Sequence, residues 1–253
     1  MRILQIHNRY RQDGGEDVVV ANEAALLSEA GHDVIQYEVR NSEKSLESIA
    51  KLGISAWNPL AARKVSALVS RHRPDITHVH NTWNALSTAI LPAIRRAGSP
   101  LALTLHNYRS ICANALLLRD GSPCLLCVEA KSSRPAITHR CYRDSLVAST
   151  AAATAIATSR YRKVWEREPD LLMAVSDFQR KLLIQGGLPA NKLIVKNHFA
   201  PDPGARQLAP SRSNTVLFVG RLSPEKGIQV LLDAWQQAKP EGHQLEIVGT
   251  GIS

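Results

Sequence analysis

The chain has 253 residues, of which 44% are hydrophobic, which excludes a disordered protein and allows one large or two ordinary domains. The formal net charge of +9 at pH 7 favours anionic partners such as nucleic acid, anionic lipid or phosphorylated ligands. No run reaches the roughly 18 apolar residues of a membrane-spanning helix, and residues 1–7 lack the apolar region of a signal peptide, so we expect a cytoplasmic protein.

The N-terminal part predicts a parallel strand–helix–strand unit. An apolar strand at 2–7 precedes a polar loop with Gly14 and Gly15, a helix at 18–30 and a strand at 33–37. Glycines in this first loop let the backbone approach a ligand closely, although an ordinary turn explains them equally well. No Gly-x-Gly-x-x-Gly pattern is present, so a dinucleotide site is not indicated.

Two further helix–strand pairs follow. The predicted helices cover 60–71 and 86–97, and the predicted strands cover 76–80 and 101–105. Period-two alternation places His78 and His80 on one face of the first strand, where both could bind a metal, but the sequence shows no third ligand. His106 and Asn107 stand at the carboxyl end of the second strand.

All the cysteines lie in one segment, residues 107–142. They are Cys112, Cys124, Cys127 and Cys141, with the spacing C-x11-C-x2-C-x13-C. This spacing fits a tetrahedral structural zinc site, which would order a segment with little core of its own. Unligated buried thiols, a disulfide and an iron–sulfur cluster are the alternatives, and a cytosolic location disfavours the disulfide. A β-hairpin is predicted at 114–121.

Basic residues are concentrated between positions 134 and 167, and residues 143–168 are predicted to form one long helix. Together with Tyr161 and Trp165, the cations favour an anionic membrane surface over nucleic acid. No helix-turn-helix, zinc-finger or RNA-binding signature accompanies them. A solvated basic face is the alternative explanation.

The remaining elements lead to a proline-containing linker. A buried strand at 171–175 precedes Ser176, a predicted N-cap for a helix at 178–185, and a short strand follows at 193–195. Residues 201–214 contain three prolines, which indicates an interdomain linker.

The last part predicts strand, loop, helix and strand. A β-branched run at 216–219 stops at Gly220, Arg221 and Lys226 follow, and a helical pattern starts near Gly227. A helix N-terminus with an Arg fork and a Lys point charge suits a diphosphate, whereas a solvated turn with two surface cations is the alternative.

The motif FVGRLSPEKG at residues 218–227 resembles the donor-phosphate loop of retaining GT-B glycosyltransferases of family 4, and LEIVGTG at 245–251 resembles their next strand and glycine turn. The resemblance extends to residue 1. It implies an α/β fold, with a Rossmann-like parallel-sheet domain and the first βαβ unit of a second one. A similar cysteine-bearing insert occurs in a bacterial subset of the family.

The resemblance also implies a domain organisation. We expect an acceptor-side N-terminal domain at 1–200 carrying the insert at 107–142, a linker at 201–214, and an incomplete donor-binding domain at 215–253. The family's Glu-x7-Glu pair, which holds the donor sugar and ribose, is absent from these residues.

The implied activity is transfer of a sugar from a nucleotide-diphosphate sugar to a saccharide or lipid-linked acceptor, in cell-surface polysaccharide or glycolipid synthesis. His106 would contact the sugar, and Arg221 with Lys226 would bind the diphosphate, so that transfer itself requires no metal cofactor. The other residues expected to bind donor or acceptor are Gly14, Gly15, His80, Asn107, Gly220 and Gly249.

Two alternatives stand beside this activity. One is a truncated, inactive fragment that binds acceptor, partner or membrane, the last at the inner face of the plasma membrane. The other is a zinc-dependent nucleic-acid binder, which rests on charge and cysteines alone. We expect no nucleic-acid partner.

Overall fold

The apolar runs of the sequence form parallel strands in the computed structural model, which describes residues 1–10, 14–41, 54–205 and 213–251. The chain divides into two units, Met1–Ala200 and Pro201–Ser253, and each is described by itself. The predicted linker falls within the second unit, and its residues 206–212 lie outside the described part of the chain.

The first unit is built on a parallel sheet. Its strands are β1 (Arg2–Arg9), β2 (Asp33–Arg40), β3 (Ile76–Asn81), β4 (Leu101–Leu105), β5 (Leu118–Arg119), β6 (Ser122–Pro123), β7 (Leu171–Ala174) and β8 (Leu193–Val195). Six of them pair in the order β2–β1–β3–β4–β7–β8, and all of these pairs are parallel. This arrangement confirms the α/β fold with a parallel sheet, and it brings the carboxyl ends of the strands to one edge.

Helices connect these strands. They are α1 (Gly15–Glu29), α2 (Pro59–His72), α3 (Ile90–Arg96), α4 (Leu126–Glu129), α5 (Arg134–Thr138), α6 (Leu146–Tyr161), α7 (Val164–Arg167) and α8 (Asp177–Gln185). The predicted N-cap is confirmed, because the Ser176 side chain accepts a hydrogen bond from the Gln179 amide at 3.1 Å. None of the described helices is long and apolar enough to cross a membrane.

The prediction of one helix over 143–168 is wrong. Lys163 adopts a left-handed conformation with φ of +53°, which separates α6 from α7. The helix predicted at 86–97 is also shorter, because α3 begins at Ile90. The amides of Ala85 and Leu86 instead donate to the Asn8 side-chain oxygen, at 2.9 and 3.2 Å.

The apolar core of the first unit lies mainly on one face of the sheet. Leu4 and Ile6 of β1, Val79 of β3 and Leu172 of β7 are fully buried. The opposite face is also buried but carries polar side chains such as Gln5 and His78, so the apolar side chains of the core share one face. Burial of each such side chain contributes roughly 1.5–3 kcal/mol.

The segment 107–142 packs against α6. The predicted hairpin is confirmed with shorter strands, β5 and β6, which pair antiparallel around Asp120 and Gly121. A second hydrophobic cluster joins the segment to α6 and to Trp83, and its buried members are Trp83, Ala113, Cys127, Ala136, Ala152 and Ile156. The segment is therefore held by apolar packing that it shares with α6, Trp83 and the main core.

The second unit is a strand–helix–strand unit. Strands β9 (Thr215–Val219) and β10 (Gln244–Val248) pair in parallel, and α9 (Ile228–Ala238) connects them. A 3₁₀ turn, Pro224–Lys226, precedes α9. The order matches the predicted strand, loop, helix and strand.

Candidate functional site

Three histidines mark the carboxyl edge of the first unit's sheet. His7 lies near the end of β1, His80 near the end of β3, and His106 directly after β4. In open parallel sheets, ligands bind in the crevice beyond this edge. Two of the residues singled out in the sequence, His80 and His106, are therefore adjacent in space.

Four imidazole rings form a row at this edge. The ring centroids of His78 and His80 are 4.0 Å apart, those of His80 and His106 are 5.4 Å apart, and those of His106 and His198 are 5.1 Å apart. His80 Nδ1 is 3.1 Å from His106 Nε2, and His106 Nδ1 is 3.3 Å from His198 Nε2. Both nitrogens of His106 thus have a histidine partner.

The rings in this row are neutral at pH 7. Burial, and then the neighbouring His198, lower the pKa of His106 to about 3. Burial lowers the pKa of His78 to about 4 and that of His80 well below its ordinary value. His106 can therefore donate or accept a hydrogen bond, but it supplies no positive charge to a bound ligand.

Glu23 is a buried carboxylate beside this row that sequence reasoning missed. It lies on α1 with 4% of its surface exposed, and its Oε1 binds the Lys196 ammonium group. Its Oε2 is 3.5 Å from His78 Nδ1 and 3.6 Å from His80 Nε2. The sequence feature that could have revealed Glu23 is its position four residues after Val19, which places a charged side chain on the buried face of α1.

The loop with Gly14 and Gly15 forms the start of α1. Gly14 is the N-cap, and its amide donates to Asp17 Oδ2 at 2.6 Å. Asp17 Oδ1 is 2.9 Å from His7 Nε2. Burial alone would raise the pKa of Asp17, but the Gly14 amide and His7 shift it below its ordinary value. These contacts hold the loop against the end of β1.

A cavity of about 70 Å³ opens beside His106. Asn107 and Arg109 line it, and the guanidinium of Arg109 lies over the rings of Trp83 and Tyr142, 4.8 Å from each centroid. Stacking on two aromatic faces fixes the position of this cation. Arg109 is a candidate ligand-binding residue that the sequence did not reveal.

Polar atoms on the cavity wall lack partners. Arg109 Nε, Ser110 Oγ and Trp165 Nε1 are buried and have no hydrogen-bond partner among the described residues. A buried donor without a partner costs about 1–3 kcal/mol, so the cavity suits a ligand with acceptor oxygens. The side-chain amide of Asn107, in contrast, has a hydrogen-bond partner, because its Nδ2 is 3.3 Å from the Tyr10 hydroxyl.

The four cysteines are free thiols. Cys112 and Cys127 are buried, and Cys124 and Cys141 are half-buried. Burial and the neighbouring Cys112 raise the pKa of Cys127 to about 11, and the same two causes raise that of Cys141. The predicted zinc site stays a prediction.

The second unit carries the predicted phosphate loop. Gly220 and Gly249 lie side by side, because the Gly220 amide donates to the Val248 carbonyl at 3.0 Å. A Cβ atom at Gly249 would collide with the Gly220 carbonyl oxygen, so the pairing requires glycine there. Arg221 binds Glu225 at 3.2 Å, and Lys226 ends the 3₁₀ turn before α9.

Residues 14–197 match the family model of the glycosyl transferase 4-like domain, which covers more than half of the chain. The chain belongs to the glycosyl transferase 4-like family. The match spans His78, His80 and His106 of the histidine row, the Arg109 cavity and all four cysteines, and it ends one residue before His198. A search of curated proteins finds no match.

Solved structures similar to this glycosyl transferase 4-like chain include Anabaena HepE in complex with UDP, with 20% identity and a TM-score of 0.54. The alignment covers 100% of this chain and 62% of HepE. The lipopolysaccharide outer core galactosyltransferase WaaB, in its apo form, has 14% identity and a TM-score of 0.50, with 99% of this chain and 61% of WaaB covered.

The catalytic domain of starch synthase IV from Arabidopsis thaliana, bound to ADP and acarbose, has 15% identity and a TM-score of 0.51. That alignment covers 99% of this chain and 69% of the other. At such identities the likeness shows the fold, which is that of a Rossmann-like GT-B domain. The chain spans less than two thirds of the length of HepE and WaaB.

Proposed function

We propose that this glycosyl transferase 4-like chain acts in a retaining glycosyltransferase, which moves a sugar from a nucleotide-diphosphate donor to a saccharide or lipid-linked acceptor. The observation that carries the proposal is the position of His106, a neutral ring at the carboxyl edge of the sheet beside a polar cavity. The UDP and UDP-glucose bound to HepE, and the ADP bound to starch synthase IV, support a nucleotide-diphosphate donor.

His106 would contact the transferred sugar through Nδ1. Its Nε2 faces the buried His80, whereas its Nδ1 faces His198, whose side chain is exposed. A sugar hydroxyl can take the place of His198 at Nδ1 without leaving a buried group unpaired. His80 contacts Nε2 and holds the His106 ring in position. A ring fixed in this way can orient the sugar for transfer.

Arg221 and Lys226 would stabilise the leaving diphosphate. The charges stand in the loop before α9, so a bound diphosphate would also meet the positive end of that helix. Arg221 would exchange its partner Glu225 for phosphate oxygens. Removing one such preorganised donor typically costs 10²–10³-fold in rate. In a retaining reaction by front-face attack, the acceptor hydroxyl attacks as the diphosphate leaves. The reaction therefore depends on positive charge at the leaving diphosphate and needs little from a protein nucleophile.

The acceptor would use the Arg109 cavity. Its unpartnered donors suit hydroxyl or acidic oxygens of a saccharide or lipid-linked saccharide. We further propose a peripheral position at the inner face of the plasma membrane, in polysaccharide or glycolipid synthesis. The basic segment ending α6 supports it only in part, since Arg162 already stacks on Trp57 at 4.2 Å.

The test is calorimetric titration of the full chain with UDP and GDP. We expect one nucleotide to bind, with affinity reduced at least tenfold in Arg221→Ala. The matched control is Lys239→Asn, which removes an equal charge elsewhere in the second unit, at a left-handed position that Asn tolerates. Equal affinity in both variants, or no binding by chain that circular dichroism shows to be folded, would contradict the proposal.

The alternative function is an inactive fragment that binds acceptor, partner or membrane. The exposed apolar residues of β9 and β10 favour it. Turnover of a nucleotide sugar by the chain, lost in His106→Ala, would exclude this alternative. Binding of anionic vesicles without nucleotide binding would support it.

A further inference from the structure

Three side chains from two elements converge inside the first unit. They are Glu23 of α1 with His78 and His80 of β3, and each is more than nine-tenths buried. One potential ligand atom from each lies within 4.8 Å of the other two. The sequence had provided the two histidines, and the fold adds the third ligand.

The distances in this cluster fit a shared ion. Glu23 Oε2 is 3.5 Å from His78 Nδ1 and 3.6 Å from His80 Nε2. A tetrahedral ion with bonds of about 2.0–2.1 Å places neighbouring ligand atoms roughly 3.4 Å apart. Direct N–H···O hydrogen bonds are shorter, about 2.7–3.2 Å. One carboxylate oxygen almost equidistant from two ring nitrogens is therefore better explained by an ion than by hydrogen bonds alone.

Hydrogen bonds on the far side of each ring support the same conclusion. His78 Nε2 is 2.8 Å from the Thr104 hydroxyl, and His80 Nδ1 is 3.1 Å from His106 Nε2. Histidines that bind a metal almost always donate their other N–H to an acceptor, usually a carboxylate, a backbone carbonyl or water, and here the Thr104 hydroxyl and His106 Nε2 are the available acceptors. With protons on those nitrogens, His78 Nδ1 and His80 Nε2 direct lone pairs toward Glu23.

His80 Nε2 is the independent indicator of a ligand. Its side chain is completely buried, and the atom has no hydrogen-bond partner among the described residues. Lys196 binds Oε1 of Glu23 and leaves Oε2 directed at the histidines. An ion at this point would satisfy the orphaned nitrogen and use the free carboxylate oxygen.

We propose that Glu23, His78 and His80 bind one divalent transition-metal ion, with zinc as the first candidate. Two imidazoles and a carboxylate are a zinc ligand set, whereas magnesium and calcium select oxygen ligands. The bound ion would keep the proton of His80 on Nδ1, so His106 would accept at Nε2 and donate from Nδ1. This last consequence rests on the proposed function, but the metal site does not.

The test is zinc binding to the full chain, measured by competition with a chromophoric chelator, with X-ray absorption of the one-equivalent complex. We expect one ion per chain with nitrogen and oxygen ligands. Glu23→Gln and His80→Gln should each weaken binding at least 100-fold, and Thr104→Val 10- to 100-fold. The matched controls are Glu29→Gln, on the exposed part of α1, and His243→Gln, and both should bind as the wild type does.

If X-ray absorption shows sulfur ligands, the ion is bound by the cysteines, and the proposal is overturned. Equal affinity in Glu23→Gln and Glu29→Gln, or no bound ion, would overturn it as well. If circular dichroism shows that His80→Gln is unfolded, Glu23→Gln decides, because it keeps the size of the side chain. These outcomes do not depend on glycosyl transfer, so a failure here leaves the nucleotide titration intact as the test of function.

Discussion

The two units use the same parallel strand–helix–strand unit, but they differ in how far it is buried. In the first, the sheet has six strands, and Leu4 and Leu172 have no exposed surface. In the second, Val219 and Val248 on paired strands are 70% and 47% exposed. A two-stranded parallel sheet with one helix cannot cover both of its faces, so among the described residues the same local pattern gives a buried core only in the first unit.

The difference extends to the functional groups. The first unit holds its candidate residues through side chains, as in the histidine row and the stacked Arg109. The second holds its phosphate loop through backbone hydrogen bonds from Gly220 to Val248 and from Leu222 to Thr250. We therefore expect substitutions in the first unit to act through lost side-chain contacts, and substitutions in the second unit to act through changes of its backbone.

The largest effect is expected in the core of the first unit. Leu172→Ala removes a fully buried side chain, and such truncations cost about 2–5 kcal/mol of unfolding free energy. Leu217→Ala in β9 is the matched control, because its side chain is 57% exposed, and it should cost less than about 1 kcal/mol. Urea unfolding followed by circular dichroism measures both. Similar losses would show that the second unit is packed as tightly as the first.

An intermediate effect is expected at the glycine pair. Gly249→Ala should force the ends of β9 and β10 apart, at a cost of about 1–3 kcal/mol, and should weaken nucleotide binding at least tenfold. Gly242→Asn is the control, since this turn position has φ of +69°, which Asn tolerates, and open space around it. Calorimetric titration compares the variants. Unchanged nucleotide affinity in Gly249→Ala would contradict the role of the pair.

The smallest effect is expected at Asp17, and it depends on pH. The folded state lowers the pKa of this carboxyl below its ordinary value of 3.8, so its contribution is complete above that value. The contribution is lost as pH falls through the folded pKa. Asp17→Asn should thus cost about 1 kcal/mol at pH 7 and progressively less below pH 3.8. Urea unfolding across this range, with the exposed Asp144→Asn as control, measures the change.

The parallel sheet was predictable because each apolar run ends at a polar residue, as at His80 and His106. Glu23 was not, since periodicity does not tell which residue of α1 faces which residue of β3. The break at Lys163 also escaped, because a lysine in the left-handed conformation has no sequence signal. The spacing of the cysteines suggested a cluster but could not give the distances between sulfur atoms.

The stacking of Arg109 on Trp83 gives the protein a built-in optical reporter. A guanidinium held 4.8 Å from an indole ring influences its emission, and this arginine also lines the cavity beside His106. An acceptor that engages Arg109 would change the surroundings of the indole, because Trp83 lines the same cavity. The fluorescence difference between the wild type and Trp83→Phe would then follow occupancy of the cavity, and acceptor candidates could be screened without a turnover assay or a label.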